Sequence, residues 1–557
     1  MSELNAFINE YIAGLSGIYY IRQLIVILVI YTFGALLTDL MVRDTVSWVK
    51  RSILAFPAGI SAFAITAYSM LVLRIPYNTW IVSAVMAVEI IAVLAALLRS
   101  RRPLKITPYK NHMIITIAMA LVIAAVSASG LAPVSISNDT MYYFKRYPDA
   151  IVYYGGLRDQ FDFFLTDTGL GVVSIDTLPS LFGFGETFGI RECFHINFLL
   201  FFFVSVLERA QKLLPKRSSY VFAGAVTTVL AVSTPFVILG HWALANMYFM
   251  ELFFIAAYTA NDLEDDAAGL VSVLLVALGL LRIEGTLFVV WLILCACAYT
   301  KLAPKMARFV ILPLGVLFSL YCLNVFVRFY VLDNMYLFLS PQKAVLIICM
   351  MACVGIYLAF IQKRLPERIS DNLPVLYILA LLCGNLILAV YDKDHYLGNL
   401  AAFRDNLFRQ SGWGMFPYFV MCAAAFLAIE YGISYFGNKE KIMPSGFGIT
   451  LAVGFLLIVI GASFGRGDLL SEDVGDSGNR VLLQIVPLVV MAFSELFLNV
   501  LCYNHGVGVP TEREGIRRGD DSCDPAGQSV KGRIYGTSDG GVRGNDDRQR
   551  SKGPCDS

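Results

Sequence analysis

A chain of 557 residues that is 57% hydrophobic and only 15% charged, with a mean hydropathy of +0.68, is excluded from the soluble globular class, whose surface needs about a quarter of its residues charged. The formal net charge of +1 also excludes nucleic acid as a partner, because tracking phosphates takes a basic excess gathered on one face. The class that fits is a polytopic membrane protein, in which charge matters by location.

The N-terminal stretch MSELNAFINEYIAG lacks the basic start and small-residue cleavage site of a signal peptide, so insertion is expected to rely on the spans themselves. One helical crossing takes about 20 apolar residues. Candidate spans are centred on 18–42, 51–74, 78–98, 112–134, 192–210, 219–240, 243–260, 267–281, 284–299, 307–331, 342–362, 371–391, 414–436, 445–463 and 481–503. The expected fold is an all-α transmembrane bundle of about 13–15 spans, with 267–281 and 284–299 reading either as two helices or as one broken one. A long, partly helical loop follows the fourth span.

Lys and Arg collect in the loops VRDTVSWVKR (42–51), RSRRPLKITPYK (99–110), ERAQKLLPKR (208–217), TKLAPKMAR (300–308), QKRLPER (362–368) and GNKEK (437–441). Alternation places these six on the cytoplasmic side, with the N-terminus outside and the C-terminus inside. NDLEDD (261–266) breaks the pattern, since it falls on the same side without a basic residue. The long polar loops fall on the outer face: 135–191, HW at 241–242, 332–341, 391–412 and 464–480. The tail from 504 to 557 is rich in Gly, Asp, Arg and Ser and is expected to be disordered and cytoplasmic. Most of the 11 cysteines lie inside apolar runs, where a thiol acts as a small hydrophobe.

The outer loop opens with SNDTMYYFKRYPDAIVYY. Asp139 lies about five residues past an apolar run, at headgroup depth, where partial desolvation suits a carboxylate to accept a proton from a sugar hydroxyl. It also reads as the cap of an amphipathic interfacial helix, and both readings can hold. Asp159 and Asp162, three apart, would share a helix face and suit a second base or a divalent cation. For Asp167, Asp176 and Glu186 an acidic exposed surface is the expected reading. Arg282 and Glu284 stand at a break between two apolar runs, as a phosphate ligand with its orienting partner or as a structural hairpin pair. His195 begins a span and His241 sits in a short outer turn; a backbone carbonyl would satisfy either. Arg480 stands at the mouth of the last span, where an arginine commonly snorkels. No P-loop, zinc signature or nucleophile elbow occurs in a believable context.

Three of these features in order, NDTMYYFKRYPDAIVYY, LLRIEGTLFVV and GNRVLLQIVPLVV, resemble motifs of the GT-C superfamily of integral membrane glycosyltransferases. The resemblance covers roughly 112–503 and implies a catalytic core there, with outer loop 135–191, preceded by extra spans in 1–111. It implies a polyprenyl-phosphate-linked sugar donor, a cell-envelope glycan, lipid or protein acceptor, an inner (plasma) membrane location and an inverting displacement. Asp139 would be the base, Arg282 and Arg480 donor-phosphate ligands, and Lys145, Arg146 and His195 part of the outer cavity. The sequence departs from the family in its extra early spans and in Asn138, where many members carry a second acidic residue. Two other readings stay open. A Wzy-like polysaccharide polymerase would use the loop 391–412 with Lys393, His395, Arg404 and Arg409. A lipid-linked glycan transporter or flippase would use ionisable residues inside spans, here Glu89, Glu251, Glu430 and Glu495.

Overall fold

The computed structural model describes residues 17–43, 46–100, 114, 146–157, 170–184, 188–236, 245–263, 266–282, 285–299, 307–327, 341–408, 413–438, 446–464, 482 and 484–504. Met1–Val509 form one compact unit, and the second unit, Pro510–Ser557, lies outside the described residues. No strand occurs among the described residues.

The chain runs α1 (Gly17–Met41), α2 (Trp48–Val72), α3 (Thr79–Arg99), three short helices α4 (Tyr147–Tyr154), α5 (Leu170–Asp176) and α6 (Leu178–Phe182), then α7 (Phe188–Gln211), α8 (Lys216–Val232), α9 (Ala245–Leu263), α10 (Ala268–Leu281) and α11 (Gly285–Tyr299). Next come α12 (Leu312–Phe326), α13 (Pro341–Ile356), α14 (Leu373–Tyr391), α15 (Lys393–Phe408), α16 (Phe416–Asn438), α17 (Gly446–Phe464) and α18 (Val486–Asn504). Among the described residues seven helices are long and apolar enough to cross a membrane, and six shorter apolar segments accompany them. The chain is therefore an all-α, multi-pass membrane protein. The expected span 112–134 lies outside the described residues, Ile114 excepted.

Helix starts follow local chemistry. The Ser47 hydroxyl accepts from the Lys50 amide at the head of α2, and Asn78 Oδ1 accepts from the Ile81 amide at the head of α3, each satisfying an orphan donor of the first turn. The run 267–299 resolves into two buried helices, with Arg282 extended between them and the Gly285 amide donating to the Arg282 carbonyl at 3.0 Å. The expected polar loop 391–412 is largely the helix α15. Asp392 caps it by accepting from the His395 amide, and its buried residues Asn399, Ala402, Phe403 and Asn406 recur at helical spacing.

The centre of the bundle is α2, packed against α1, α5, α7 and α10. At the α1–α2 crossing the backbones touch: a Cβ on Gly34 would sit 1.7 Å from the Ala55 carbonyl oxygen, and one on Gly59 would sit 2.0 Å from that of Ile30. Small residues permit this approach, which dispersion and packing then stabilise in lipid. By contrast only 17% of the α3 span and 11% of the α14 span are buried, so these two helices turn their apolar faces to the acyl chains.

Ion pairs tie three of the expected cytoplasmic loops together at one end of the bundle. Arg43 pairs with Asp266 at 3.1 Å, Lys50 with Glu208 at 2.8 Å and Asp262 at 3.1 Å, and Arg209 with Asp262 at 2.7 Å. NDLEDD thus answers the basic charges of its neighbours, which explains its break with the loop pattern. Segments from the other side meet at the opposite end. Arg22 donates to the Gly183 carbonyl, the Tyr77 and Thr177 hydroxyls lie 2.7 Å apart, and Thr79 donates to the Leu181 carbonyl.

Candidate functional site

At that opposite end, α7 and α9 start side by side. Phe198 and Phe202 of α7 pack on Phe254 of α9 at ring distances of 5.6 and 5.2 Å, and this aromatic seam fixes the register of the two helices. One turn nearer the site end, His195 meets Glu251, with Nδ1 and Oε1 2.5 Å apart. The imidazole stacks on Phe236 at 4.9 Å. Its side chain keeps 23% of its surface, whereas that of Glu251 keeps 1%, so the pair is a buried carboxylate holding a partly exposed ring.

Arg191, one turn before His195 on the same helix face, reaches Asp176 at the end of α5 with Nη2 and Oδ2 2.6 Å apart. Its guanidinium also lies over the Tyr248 ring at 5.0 Å, a cation–π contact strengthened by desolvation. All seven residues of α5 are buried. Gly171 lets α5 press on the end of α10, where a Cβ would fall 2.5 Å from the Leu280 carbonyl oxygen. The acidic exposed surface expected for Asp176 is thus corrected. Its helix folds into the bundle because LGVVSID is apolar, and the carboxylate enters with a cation as partner.

Arg282, in the turn between α10 and α11, donates from Nη1 to Asn246 Oδ1 at the start of α9. Asp176, Arg191, His195, Asn246, Tyr248, Glu251 and Arg282 therefore converge from four segments of chain on the first turns of α7 and α9. The cluster is not internally saturated: Asp176 Oδ1, Glu251 Oε2, the Tyr248 hydroxyl and Asn246 Nδ2 are buried without a hydrogen-bond partner among the described residues. Buried polar atoms are nearly always satisfied, and these four leave this end with hydrogen-bonding capacity, which makes it the candidate site. Among the described residues no group of three or more His, Cys, Asp or Glu is placed to hold a metal ion.

Of the residues singled out from the sequence, His195 and Arg282 are brought to one helix. Arg146 is exposed at the start of α4. His395 and Arg404 belong to α15, with His395 Nε2 3.3 Å from the Phe464 carbonyl oxygen and Arg404 bonded to the adjacent Asp405. Asp139, Lys145, Asp159, Asp162, His241, Glu284 and Arg480 lie outside the described residues. Sequence reasoning missed Asp176, Arg191, Asn246 and Tyr248. The available signal was FGIRECFHINF, where Arg191 and His195 stand four apart at the head of an apolar run, facing a glutamate inside another.

No family model matches this chain, and no curated protein or solved structure does either. The fold and the site define a multi-pass helical membrane protein with a buried, incompletely satisfied ionic cluster at one end of its bundle.

Proposed function

We propose that this protein is a membrane glycosyltransferase that moves a sugar from a polyprenyl-phosphate-linked donor to an envelope glycan, lipid or protein acceptor. The cluster end faces outward, and the end carrying Arg43, Lys50 and Arg209 faces the cytoplasm. Asp139 is the base that takes the acceptor proton. Arg282 and Arg480 hold the donor phosphate, with Lys145, Arg146 and His195 lining the cavity, and developing charge on the departing phosphate is met by these cations. The observation that supports the reading is that His195 and Arg282 both bond to the first two turns of α9, through Glu251 and Asn246. The resemblance implies a donor-phosphate ligand in Arg282 and a place in the outer cavity for His195; they stand 87 positions apart in sequence, and their partners Asn246 and Glu251 stand five residues apart on one helix.

The test is transfer by the purified chain in lipid, offered a panel of polyprenyl-phosphate sugars. Wild type should form product, Asp139→Asn should lose at least about 10²-fold, and Arg282→Ala should lose a comparable factor. Full activity in Asp139→Asn removes the base. The buried ionic groups inside spans favour a second reading, a transporter of lipid-linked glycans. It wins if no sugar is transferred while flux into liposomes depends on Glu89, hydrogen-bonded to Thr66, or on Glu495, paired with Arg209.

A further inference from the structure

Glu89 stands at the middle of α3, ten residues from either end, and is the one charged residue of that helix before Arg99. Little of the α3 span is buried, so the helix lies open to the acyl chains. Thr66 of α2 donates from Oγ1 to Glu89 Oε1 at 2.5 Å, while Oε2 is enclosed without a hydrogen-bond partner among the described residues. A carboxyl at this depth is costly when charged, and it is a functional candidate by default.

Carboxylates elsewhere in the bundle are answered by an arginine or a histidine. Asp39 lies 3.5 Å from Arg51, Asp176 2.6 Å from Arg191, Glu251 2.5 Å from His195, and Asp262 and Glu495 lie 2.7 and 2.6 Å from Arg209. Glu89 has no such partner among the described residues, and no charge among them acts on it. On α1, which packs against α3, Arg22 donates to the Gly183 carbonyl at the cluster end, and Asp39 sits beside Arg51 at the other. On α2 the nearest charged residue is Arg51, fifteen residues before Thr66 and about 22 Å along the helix. Lys50 beside it is held by Glu208 and Asp262. Arg99 is ten residues from Glu89 on its own helix, about 15 Å away. An ionised carboxylate presents two accepting oxygens, and here one neutral hydroxyl would have to hold it. In apolar surroundings such a group is relieved by taking up a proton.

We propose that Glu89 is a proton-binding site in the acyl layer, a neutral carboxyl with Thr66 on one oxygen and the proton on the other, open to modification by lipid-soluble carbodiimides. The Glu89 O–H adds across one N=C bond of the reagent: its oxygen bonds to the central carbon, its hydrogen passes to nitrogen, and nothing leaves. Away from water the resulting O-acylisourea rearranges, the acyl group shifting from oxygen to nitrogen, and gives a stable N-acylurea. This goes beyond the transferase reading and does not rest on it. Under the transport reading the same site supplies the coupling ion, a proton.

The test treats the full-length chain in nanodiscs with dicyclohexylcarbodiimide or with a charged, water-soluble carbodiimide, at pH 8, nearly four units above the midpoint of an ordinary glutamate. Peptide mass spectrometry should find the adduct on Glu89 with the lipid-soluble reagent and lose it with the water-soluble one. No adduct on Glu89 with the first reagent, or equal yields with both, overturns the site. Infrared spectra at the same pH give an independent readout. Wild type should show a protonated-carboxyl C=O band that Glu89→Gln lacks, and Thr66→Val should shift that band to higher frequency without removing it, since the carbonyl loses its donor. A merely structural hydrogen bond to an ionised carboxylate would show no such band, and its absence from the difference between wild type and Glu89→Gln overturns the neutral carboxyl. Glutamine replaces the neutral acid with a neutral group of the same shape, so Glu89→Gln should unfold like wild type. If it does not fold, the band shift in Thr66→Val and the labelling of wild type still decide.

Discussion

Both ends of α7 bury an arginine against acidic partners, and they do so in different ways. Eighteen residues separate Arg191 from Arg209, about 27 Å along a helix. At the Arg209 end both oxygens of Asp262 are bonded, Oδ1 by Arg209 and Asn261 and Oδ2 by Lys50 and Arg209. Arg209 Nε also donates to Glu495, and its guanidinium covers the Tyr258 ring at 4.9 Å. Four helices, α2, α7, α9 and α18, are thereby clamped together. At the Arg191 end each carboxylate uses one oxygen and leaves the other without a partner among the described residues. A carboxylate bonded through both oxygens is spent on structure, whereas one bonded through a single oxygen keeps capacity for an incoming group. The difference teaches that ionic residues in a bundle need not share a purpose: one end is a clamp and the other the candidate site.

The largest expected effect breaks the clamp. Asp262→Ala removes the shared counter-charge of Arg209 and of Lys50, whose side chain is 2% exposed, and removing one partner of a buried pair costs about 3–5 kcal/mol. Thermal unfolding in detergent should fall steeply, and Lys50→Met should restore part of the loss by removing one stranded cation. If Asp262→Ala unfolds like wild type, the clamp is ornamental and the contrast between the ends disappears.

The clamp was partly legible in the sequence and the site was not, for physical reasons. Apolar runs announce helices because the hydrocarbon demands them, and α1, α2, α3, α14 and α17 fall where the runs predict. Loop charge was legible as a pattern, but 261–266 stood out only as a break in it, and its pairing with Arg43, Lys50 and Arg209 was not legible. The site depends instead on α5, whose apolar stretch is too short for a crossing and sits inside a polar loop. Hydropathy averages such a segment away, although a run of 10–14 apolar residues is itself a sign of a buried or re-entrant piece. The pairing of Asp176 with Arg191 joins residues 15 positions apart, with α6 between them, a distance at which no helical or strand period applies. α15 was missed because its helical face is polar, with Asn399 and Asn406 buried where apolar residues would have given the period away.

An intermediate effect tests whether the Asp176–Arg191 pair is needed for folding or for the site. Arg191→Met alone strands a carboxylate that is 2% exposed and should cost about 3 kcal/mol or more. Adding Asp176→Leu removes the stranded charge, and the double variant should recover most of that stability, since apolar replacement of a buried pair is often neutral. If the cluster is a site, the recovered double variant stays inactive in transfer. A double variant that is both stable and active would return this end to the same standing as the clamp.

The smallest effect is the sharpest discriminator. The Tyr248 and Tyr258 hydroxyls are both buried without a hydrogen-bond partner among the described residues, and both rings carry an arginine. Phenylalanine preserves the ring and its cation contact while deleting an unsatisfied hydroxyl, whose burial costs about 1–3 kcal/mol. Tyr248→Phe and Tyr258→Phe should therefore unfold at the same temperature as wild type or a few degrees above it. Transfer should separate them. Tyr258→Phe, at the clamp, should turn over like wild type. Tyr248→Phe should slow several-fold, because its hydroxyl stands among the unbonded oxygens of Asp176 and Glu251, where an incoming polar group would meet it. Equal rates in the two variants would mean that the unpaired atoms at the Arg191 end are incidental.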